Sequence, residues 1–466
     1  MKRYPESLDV VVVGSGPGGY VAAIRAAQIG MKVGIVEKDP KFGGTCLHRG
    51  CIPTKALLQT AALYDQAVHS MAEFGIEIKE VRLNFTGAQG FKEKIVARLA
   101  SGVDFLLKKN KVVKFQGRGR VQGPRTVVVG GETEVQTRFI LLATGSVPKT
   151  LPHFKPDGER ILTSDELLQL ASVPRSLLVV GAGAVGIEFA SMFHRFGSEV
   201  TMVEALPQIV PLEDEEVARE LERILTKRGM KIQTGTKVTQ MARQGAGVQA
   251  TLEGPDGKAT SIDVEKVLLA VGRSPVTQDL GLESTRVQLD RGYVKVTPFM
   301  QTDEPSIYAI GDIVPTPALA HVASAEGLVA VEHMKGLGPK PLNYDQTVNC
   351  TFCDPQVASI GLTEKKARER GHRVKVGKFP FQANSKAMIL QETDGFVKIV
   401  SDEAFGEVLG VHILHSHASY LIGEGCAVLS GELPAEELAR TIHPHPTLTE
   451  AVMEAAHAVY GLPIHM

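Results

Sequence analysis

Only five cysteines occur in 466 residues, and no stretch approaches about 18 uninterrupted apolar residues. The first scarcity excludes a fold stapled by many disulfides, and the second a helix buried across a bilayer. The N-terminus, MKRYPESLDVVVVGSG, reaches a β-like apolar run within a few residues and carries no secretory h-region, so a soluble cytoplasmic protein is expected. Neither charge is in excess: 51 Lys and Arg face 52 Asp and Glu, for a formal charge of -1, without an acidic or basic block. That balance argues against a nucleic-acid or anionic-membrane surface and leaves small molecules and other proteins as partners. The length suggests about three domains.

Glycine, by contrast, is placed with a pattern. LDVVVVGSGPGGYVAAIRAAQIGMKVGIVEKD reads as strand, glycine turn, helix, strand and acid, with Gly14, Gly16 and Gly19 as G-x-G-x-x-G and Glu37 ending the next apolar run. In this motif the first glycine allows a tight turn, the second lets backbone N–H groups approach a pyrophosphate, the third allows close helix–strand packing, and the acid accepts from a ribose hydroxyl. RSLLVVGAGAVGIEFASMFHRFGSEVTMVEA repeats it with Gly181, Gly183, Gly186 and Glu204. The interval from first glycine to acid is the same in both copies, which points to two separate dinucleotides.

Between the copies, FILLATGS (residues 139 to 146) reads as a buried strand, followed by a linker with Pro148, Pro152 and Pro156. Thr163 and Glu166 form a capping box at a helix start. VLLAVGRSP and SIYAIGDIV resemble ILLATG, each an apolar strand delivering glycine backbone towards a ligand. After GLGPKPLNYDQ the chain alternates short strands and helices without a third fingerprint, which indicates an α+β unit suited to oligomerisation or substrate contact.

Cys46 and Cys51 lie five apart in GGTCLHRGCIPTKALL, just ahead of a helical stretch. In an ideal α-helix that offset separates Cα atoms by roughly 8.6 Å, beyond the roughly 7 Å a disulfide tolerates. A bond therefore requires a distorted helix entry, for which Gly50 and Pro53 are suited. Zinc is disfavoured, because the spacing is not C-x2-4-C and no second ligand pair is near. Beside a nucleotide fold, a redox relay explains the pair better than two inert thiols.

Residues 43 to 55 resemble the active-disulfide motif of the flavin disulfide reductases, G-G-T-C-x4-C-x-P-x-K, and CLHRGCIPTK is closest to the branch that oxidises dihydrolipoyl groups. Both fingerprints, ATG at 143 to 145, GD at 311 to 312 and HPHPTLTE at 443 to 450 extend the resemblance over essentially the whole chain. It implies an α/β fold of two Rossmann-like dinucleotide-binding domains, for FAD and NAD, plus a C-terminal α+β dimerisation domain. The implied boundaries are 1–149 and 275–345 for the FAD-binding and central parts, 150–274 for NAD binding and 346–466 for the interface.

The resemblance also implies roles. FAD would contact Gly14, Gly16, Gly19, Glu37, Lys38, Gly44, Thr45, Lys55, Ala143, Thr144, Gly145, Gly311 and Asp312. NAD would contact Gly181, Gly183, Gly186 and Glu204, and Gly272 and Arg273 would contact one of the two dinucleotides. Cys46 and Cys51 would form the disulfide, Lys55 would approach the flavin and pair with Glu188, and His445 would act as acid/base, oriented by Glu450 across a dimer interface. Histidine suits that step because its usual pKa lies near the operating pH. Glu204, with no Arg or Lys just after it, favours NAD over NADP. Thr447 and Glu450 also read as a capping box. No metal site is expected.

The implied activity is oxidation of dihydrolipoyl groups on a lipoyl-bearing acyltransferase or lipoyl carrier protein by a homodimer serving 2-oxoacid dehydrogenase or glycine cleavage complexes. Rival readings are another FAD/NAD(P)H-dependent disulfide reductase and a non-catalytic flavoprotein subunit. Cys350 and Cys353 depart from the family pattern and read as structural, Cys426 as core. His415, Ser416, His417 and Tyr420 stand where relatives carry small or acidic residues, which concerns the local substrate or interface surface.

Overall fold

A computed structural model describes residues 2–151 and 153–466; Met1 and Pro152, one of the three linker prolines, lie outside the described residues. The chain forms two compact units. The first comprises Met1–Ala56, Thr86–Lys149 and Gly272–Tyr344. The second comprises Leu57–Phe85, Thr150–Val271 and Asp345–Met466.

The first unit is built on parallel strands in the order Val113–Gln116, Val33–Glu37, Leu8–Val13, Thr133–Leu142 and Ile307–Ala309. The run of valines in Leu8–Val13 is buried on both faces, as a central parallel strand requires, and β-branched side chains fit that pleated surface. Val10 stands opposite Val33 on one side and Phe139 on the other. The helix Pro17–Gln28 covers the sheet through Ala22, Ala23 and Ala26, which share a core with Val10, Val12, Ile35 and Leu141. This register brings the C-terminal ends of Leu8–Val13, Thr133–Leu142 and Ile307–Ala309 side by side, so the loops that follow them converge.

The second unit repeats the plan with Lys231–Gln233, Glu199–Val203, Ser176–Val180, Lys266–Leu269 and Ile161–Leu162, all parallel. Its capping box is formed: Thr163 accepts from Asp165 N–H, and Glu166 Oε2 accepts from Thr163 N–H at 2.8 Å. The same unit carries an antiparallel sheet ordered Asn349–Thr351, Gln356–Gly361, Val408–His415, Phe396–Asp402 and Val374–Pro380. Helices Ala418–Ser430, Ala435–Arg440 and Glu450–Val459 share its core, with Ile360, Phe379, Val397 and Val411 from the strands and Leu421, Leu438 and Val452 from the helices. The fold is the α/β arrangement with two dinucleotide-type sheets and a C-terminal α+β part. Among the described residues no helix is long and apolar enough to cross a membrane.

Candidate active site

The two glycine turns have the same internal geometry. A Cβ on Gly14 would lie 2.2 Å from the Ala143 carbonyl oxygen, and one on Gly181 would lie 2.5 Å from that of Ala270. At the third glycine, a Cβ on Gly19 would meet Gly14 O at 2.0 Å, and one on Gly186 would meet Gly181 O at 1.9 Å. These approaches leave no room for a side chain. The acids repeat as well. Glu37 Oε2 accepts from Ser15 N–H at 3.1 Å and Ser15 O–H at 2.5 Å, with Oε1 accepting from Asp39 N–H at 2.9 Å. Glu204 Oε2 accepts from Ala182 N–H at 2.7 Å and Oε1 from Leu206 N–H at 2.9 Å.

Both turns are shaped for an anion. Helices Pro17–Gln28 and Ala184–Arg195 start without a side-chain cap, and among the described residues nothing beyond the adjoining ones lies within 4 Å of a Cβ placed at Gly16 or Gly183. The first-turn N–H groups, which no helix can satisfy internally, are therefore reachable by a pyrophosphate. The residues present fit two dinucleotides.

The cysteine segment is seated on the first turn. Gly43 N–H donates to Ser15 Oγ at 3.0 Å, and a Cβ on Gly44 would lie 2.5 Å from Gly16 Cα. Gly43 and Gly44 both have positive φ, 127° and 63°, which glycine adopts without strain. Thr45 and Cys46 follow in a short helix, Gly44–Arg49, and Gly50 breaks it before Cys51–His69 begins. Cys46 therefore lies in its own helical segment and not in the first turn of the longer helix, and the distortion falls at Gly50. Thr54 O–H donates to the Gly50 carbonyl at 2.7 Å and secures the new start.

Cys46 and Cys51 are thiols in side-chain hydrogen-bond contact. That bond, with burial and the negative charge that would sit on Cys51, holds the Cys46 thiol far above the usual thiol range, while the Lys55 ammonium pulls it down.

A third cluster joins segments far apart in sequence. Arg273 Nε donates to Ser146 Oγ at 2.6 Å and its second nitrogen to Ser146 O at 2.7 Å, while Ser146 Oγ in turn donates to Asp312. Asp312 and Arg273 form an ion pair at 3.8 Å. Thr144 Oγ1 donates to Val276 O at 2.6 Å, Val276 N–H donates to Gly145 O at 2.9 Å, and Lys149 N–H donates to Gly272 O at 2.9 Å. ATGS, GRSP and GD thereby form one rim, and Arg273, inside the 150–274 bounds expected for NAD binding, belongs to the first unit with Asp312. Gly311 opens the short turn Gly311–Ile313. Lys38 is engaged with Asp39 at 2.7 Å.

In the second unit, Glu188 is buried and its Oε1 accepts from Phe352 N–H at 3.0 Å, a contact between the second fingerprint helix and the C-terminal segment. Lys55 belongs to the first unit. His445 Nδ1 lies 2.8 Å from Glu450 Oε1, and Thr447 N–H donates to Glu450 Oε2 at 2.8 Å. The capping box is half-formed: Thr447 Oγ1 donates to Pro444 O, and the helix begins only at Glu450. Glu450 serves both neighbours because its two oxygens point to different donors. Burial raises its pKa, but Thr447 N–H and His445 outweigh it and hold the carboxyl below the usual range. His443 is occupied elsewhere, with Glu424 at 2.7 Å and Thr441 O at 2.8 Å.

Residues 8–327 match the family model described as pyridine nucleotide-disulphide oxidoreductase, and residues 347–456 match that family's dimerisation domain. The chain belongs to the pyridine nucleotide-disulphide oxidoreductases. Dihydrolipoyl dehydrogenase of Bacillus subtilis is 44% identical over 98% of this chain and 99% of its own, and the mitochondrial dihydrolipoyl dehydrogenase of Pisum sativum is 41% identical over 98% and 92%. The crystal structure of LpdA from Mycobacterium tuberculosis superposes with a TM-score of 0.89 at 28% identity, covering 98% of this chain and 99% of that one. The cofactors of this oxidoreductase are FAD and NAD.

The remaining cysteines sit apart from this chemistry. The strand Asn349–Thr351 ends before Cys353, so strand alternation does not govern it; the thiol is buried and donates to Pro355 O at 3.0 Å. Cys350 and Cys426 pack against the C-terminal core. Among the described residues no group of three or more His, Cys, Asp or Glu could hold a metal. His415 is buried against Phe381 with ring centroids 4.0 Å apart, and His417 pairs with Glu392 at 3.0 Å. Sequence reading passed over Ser15, Ser146 and the Phe352 amide. Ser15 and Ser146 stand inside recognised motifs, whereas nothing in the sequence signals the Phe352 contact.

Proposed function

We propose that the chain oxidises protein-bound dihydrolipoyl groups to lipoyl with NAD+ as acceptor, and that Cys46, Cys51, Lys55, Glu188, His445 and Glu450 carry the reaction. The observation that supports this most directly is the contact of Cys46 with Cys51 in a segment packed, through Gly44, onto the first dinucleotide turn. The full-length relatives with this activity in their names support the substrate class.

The thiol chemistry begins with the Cys46–Cys51 disulfide. His445 takes a proton from one substrate thiol, and the resulting thiolate attacks Cys46 Sγ, breaking the disulfide and releasing Cys51 as thiolate. The second substrate thiol attacks the substrate sulfur bonded to Cys46, its proton passing to His445 as the imidazolium gives up the first one. That closes the lipoyl disulfide and releases Cys46, which takes the proton the imidazolium gives up. Glu450 holds His445 Nδ1 and balances the imidazolium, leaving the other ring nitrogen to face the substrate. FAD, when bound, would supply the two-electron carrier between the cysteine pair and NAD+. Gly14, Gly16, Gly19, Glu37, Gly311 and Asp312 would hold FAD. Gly181, Gly183, Gly186 and Glu204 would hold NAD.

The dimerisation-domain match supports a homodimer, with His445 serving the cysteines of the partner subunit. The lipoyl group would arrive on an acyltransferase or lipoyl carrier protein in the cytoplasm, where thiols outside the active pair stay reduced. The test is anaerobic mixing of holoenzyme with dihydrolipoamide and NAD+. Stoichiometric NADH is expected from the wild type, with none from Cys51→Ser, while NADH-driven reduction of a dye survives in that variant. Full lipoyl turnover by Cys51→Ser would sink the relay.

A further inference from the structure

Helix Ala320–Lys335 carries a carboxyl that none of these steps uses. Glu326 is 0% exposed, on a face otherwise formed by Val322, Ala323 and Ala330. Burying a carboxyl is costly unless its oxygens are satisfied, and here both are engaged. Oε2 accepts from Gly311 N–H at 2.6 Å, and Oε1 accepts from the Tyr344 hydroxyl at 2.9 Å. Gly311 is the first residue of the turn Gly311–Ile313, whose leading N–H groups have no partner within the turn. Glu326 supplies that partner one residue before Asp312.

The helix that bears Glu326 is itself locked to the first fingerprint helix. A Cβ on Gly327 would lie 2.9 Å from Gly18 O, and one on Gly18 would lie 2.9 Å from Ala323 O. Backbone touches backbone there, so the pyrophosphate helix and the helix carrying Glu326 are in direct contact. The link runs on through Gly311 to Asp312, which Ser146 and Arg273 hold from the other side. Burial also pushes the Glu326 carboxyl above the usual range, so a neutral side chain of the same shape suits the site.

We propose that Glu326 is a positioning residue for FAD, which sets the Gly311–Asp312 turn against the pyrophosphate helix by accepting from Gly311 N–H and Tyr344 O–H. This rests on the reading of Asp312 as the contact to the flavin-side sugar chain. A neutral amide can keep both links, its carbonyl accepting from Gly311 and its NH2 donating to the Tyr344 oxygen.

The test is the rate of FAD release from holoenzyme at a fixed sub-denaturing urea concentration, read by the fluorescence of freed flavin, for Glu326→Gln, Glu326→Leu, Tyr344→Phe and Asp312→Ala. Glu326→Gln is expected to release FAD within threefold of wild type, Glu326→Leu at least tenfold faster, and Tyr344→Phe in between. Rescue by Gln is the signature that simple loss of core packing would not produce. Wild-type release from Glu326→Leu with fast release from Asp312→Ala overturns the inference, as does a Gln variant as leaky as Leu. Unchanged release from Asp312→Ala instead overturns the underlying reading of that turn. If Glu326→Leu does not fold, Tyr344→Phe decides: faster release supports the proposal, and wild-type release overturns it.

Discussion

Nδ1 of His445 and Oε1 of Glu450 lie 2.8 Å apart, while the other Glu450 oxygen takes Thr447 N–H at 2.8 Å. The carboxylate is anchored by backbone, so the ring it faces has one orientation. His445→Gln is expected to lower dihydrolipoamide oxidation by about 10²–10⁴-fold, the usual worth of a positioned acid/base. Glu450→Gln should lose less, because it can still accept from Thr447. Steady-state rates with dihydrolipoamide, beside NADH-driven dye reduction as the unaffected control, check both.

Lys55 lowers the Cys46 thiol against the effects of Cys51 and burial. Removing that cation disfavours thiolate, so Lys55→Met should move ionisation of the reduced pair to higher pH. Ultraviolet thiolate absorbance of the reduced enzyme against pH measures it, and a downward shift would contradict the assignment.

A methyl group at Gly19 would meet Gly14 O at 2.0 Å and one at Gly186 would meet Gly181 O at 1.9 Å. Because each approach closes its own turn, Gly186→Ala should purify yellow with FAD but fail to be reduced by NADH. Gly19→Ala should purify without flavin. Flavin content by absorbance and anaerobic reduction by NADH separate the two outcomes.

Glu204 uses both oxygens on backbone N–H groups of its turn. Its charge is expected to repel a 2′-phosphate. Glu204→Ser should therefore raise the KM for NADH and increase the NADPH to NADH ratio of kcat/KM at least severalfold. An unchanged ratio would place nucleotide choice elsewhere.

Lys398 is buried, its side chain 3% exposed, and meets Asp214 at 3.0 Å, Glu216 at 3.2 Å and Glu364 at 2.9 Å. Burial alone raises these three carboxyls, but Lys398 and neighbouring donors outweigh it and all three lie below the usual range. A depressed carboxyl contributes stability above its unfolded value that is lost as pH falls through the folded one. The second unit should thus weaken progressively between about pH 5 and pH 2. Lys398→Met is expected to cost about 3–5 kcal/mol near neutral pH, because it leaves the buried Asp214 carboxylate without its cation, and to flatten that acid limb. Urea unfolding at several pH values reads both effects.

The two fingerprints were legible from one dimension because strand, glycine turn, helix and acid are local: Gly14 to Glu37 and Gly181 to Glu204 each close within a single βαβ unit. The Cys46–Cys51 spacing likewise announced a distorted helix entry, and only the position of the break, at Gly50, needed coordinates. Glu450 was ambiguous in sequence because one carboxylate can cap a helix or orient a ring; in the fold one of its oxygens faces His445 Nδ1 and the other accepts from Thr447 N–H.

What the sequence determined by itself was therefore the set of local motifs and the family they resemble. Tertiary structure alone decided that Ser146 joins Arg273 and Asp312 across 127 and 166 residues, that Glu188 is held by the Phe352 amide 164 residues away, and that Glu326 faces Gly311. The physical reason is that periodicity and turn chemistry register only neighbours along the chain. Partners for buried carboxylates and strand-end hydroxyls are chosen by which strand ends the parallel sheets bring side by side.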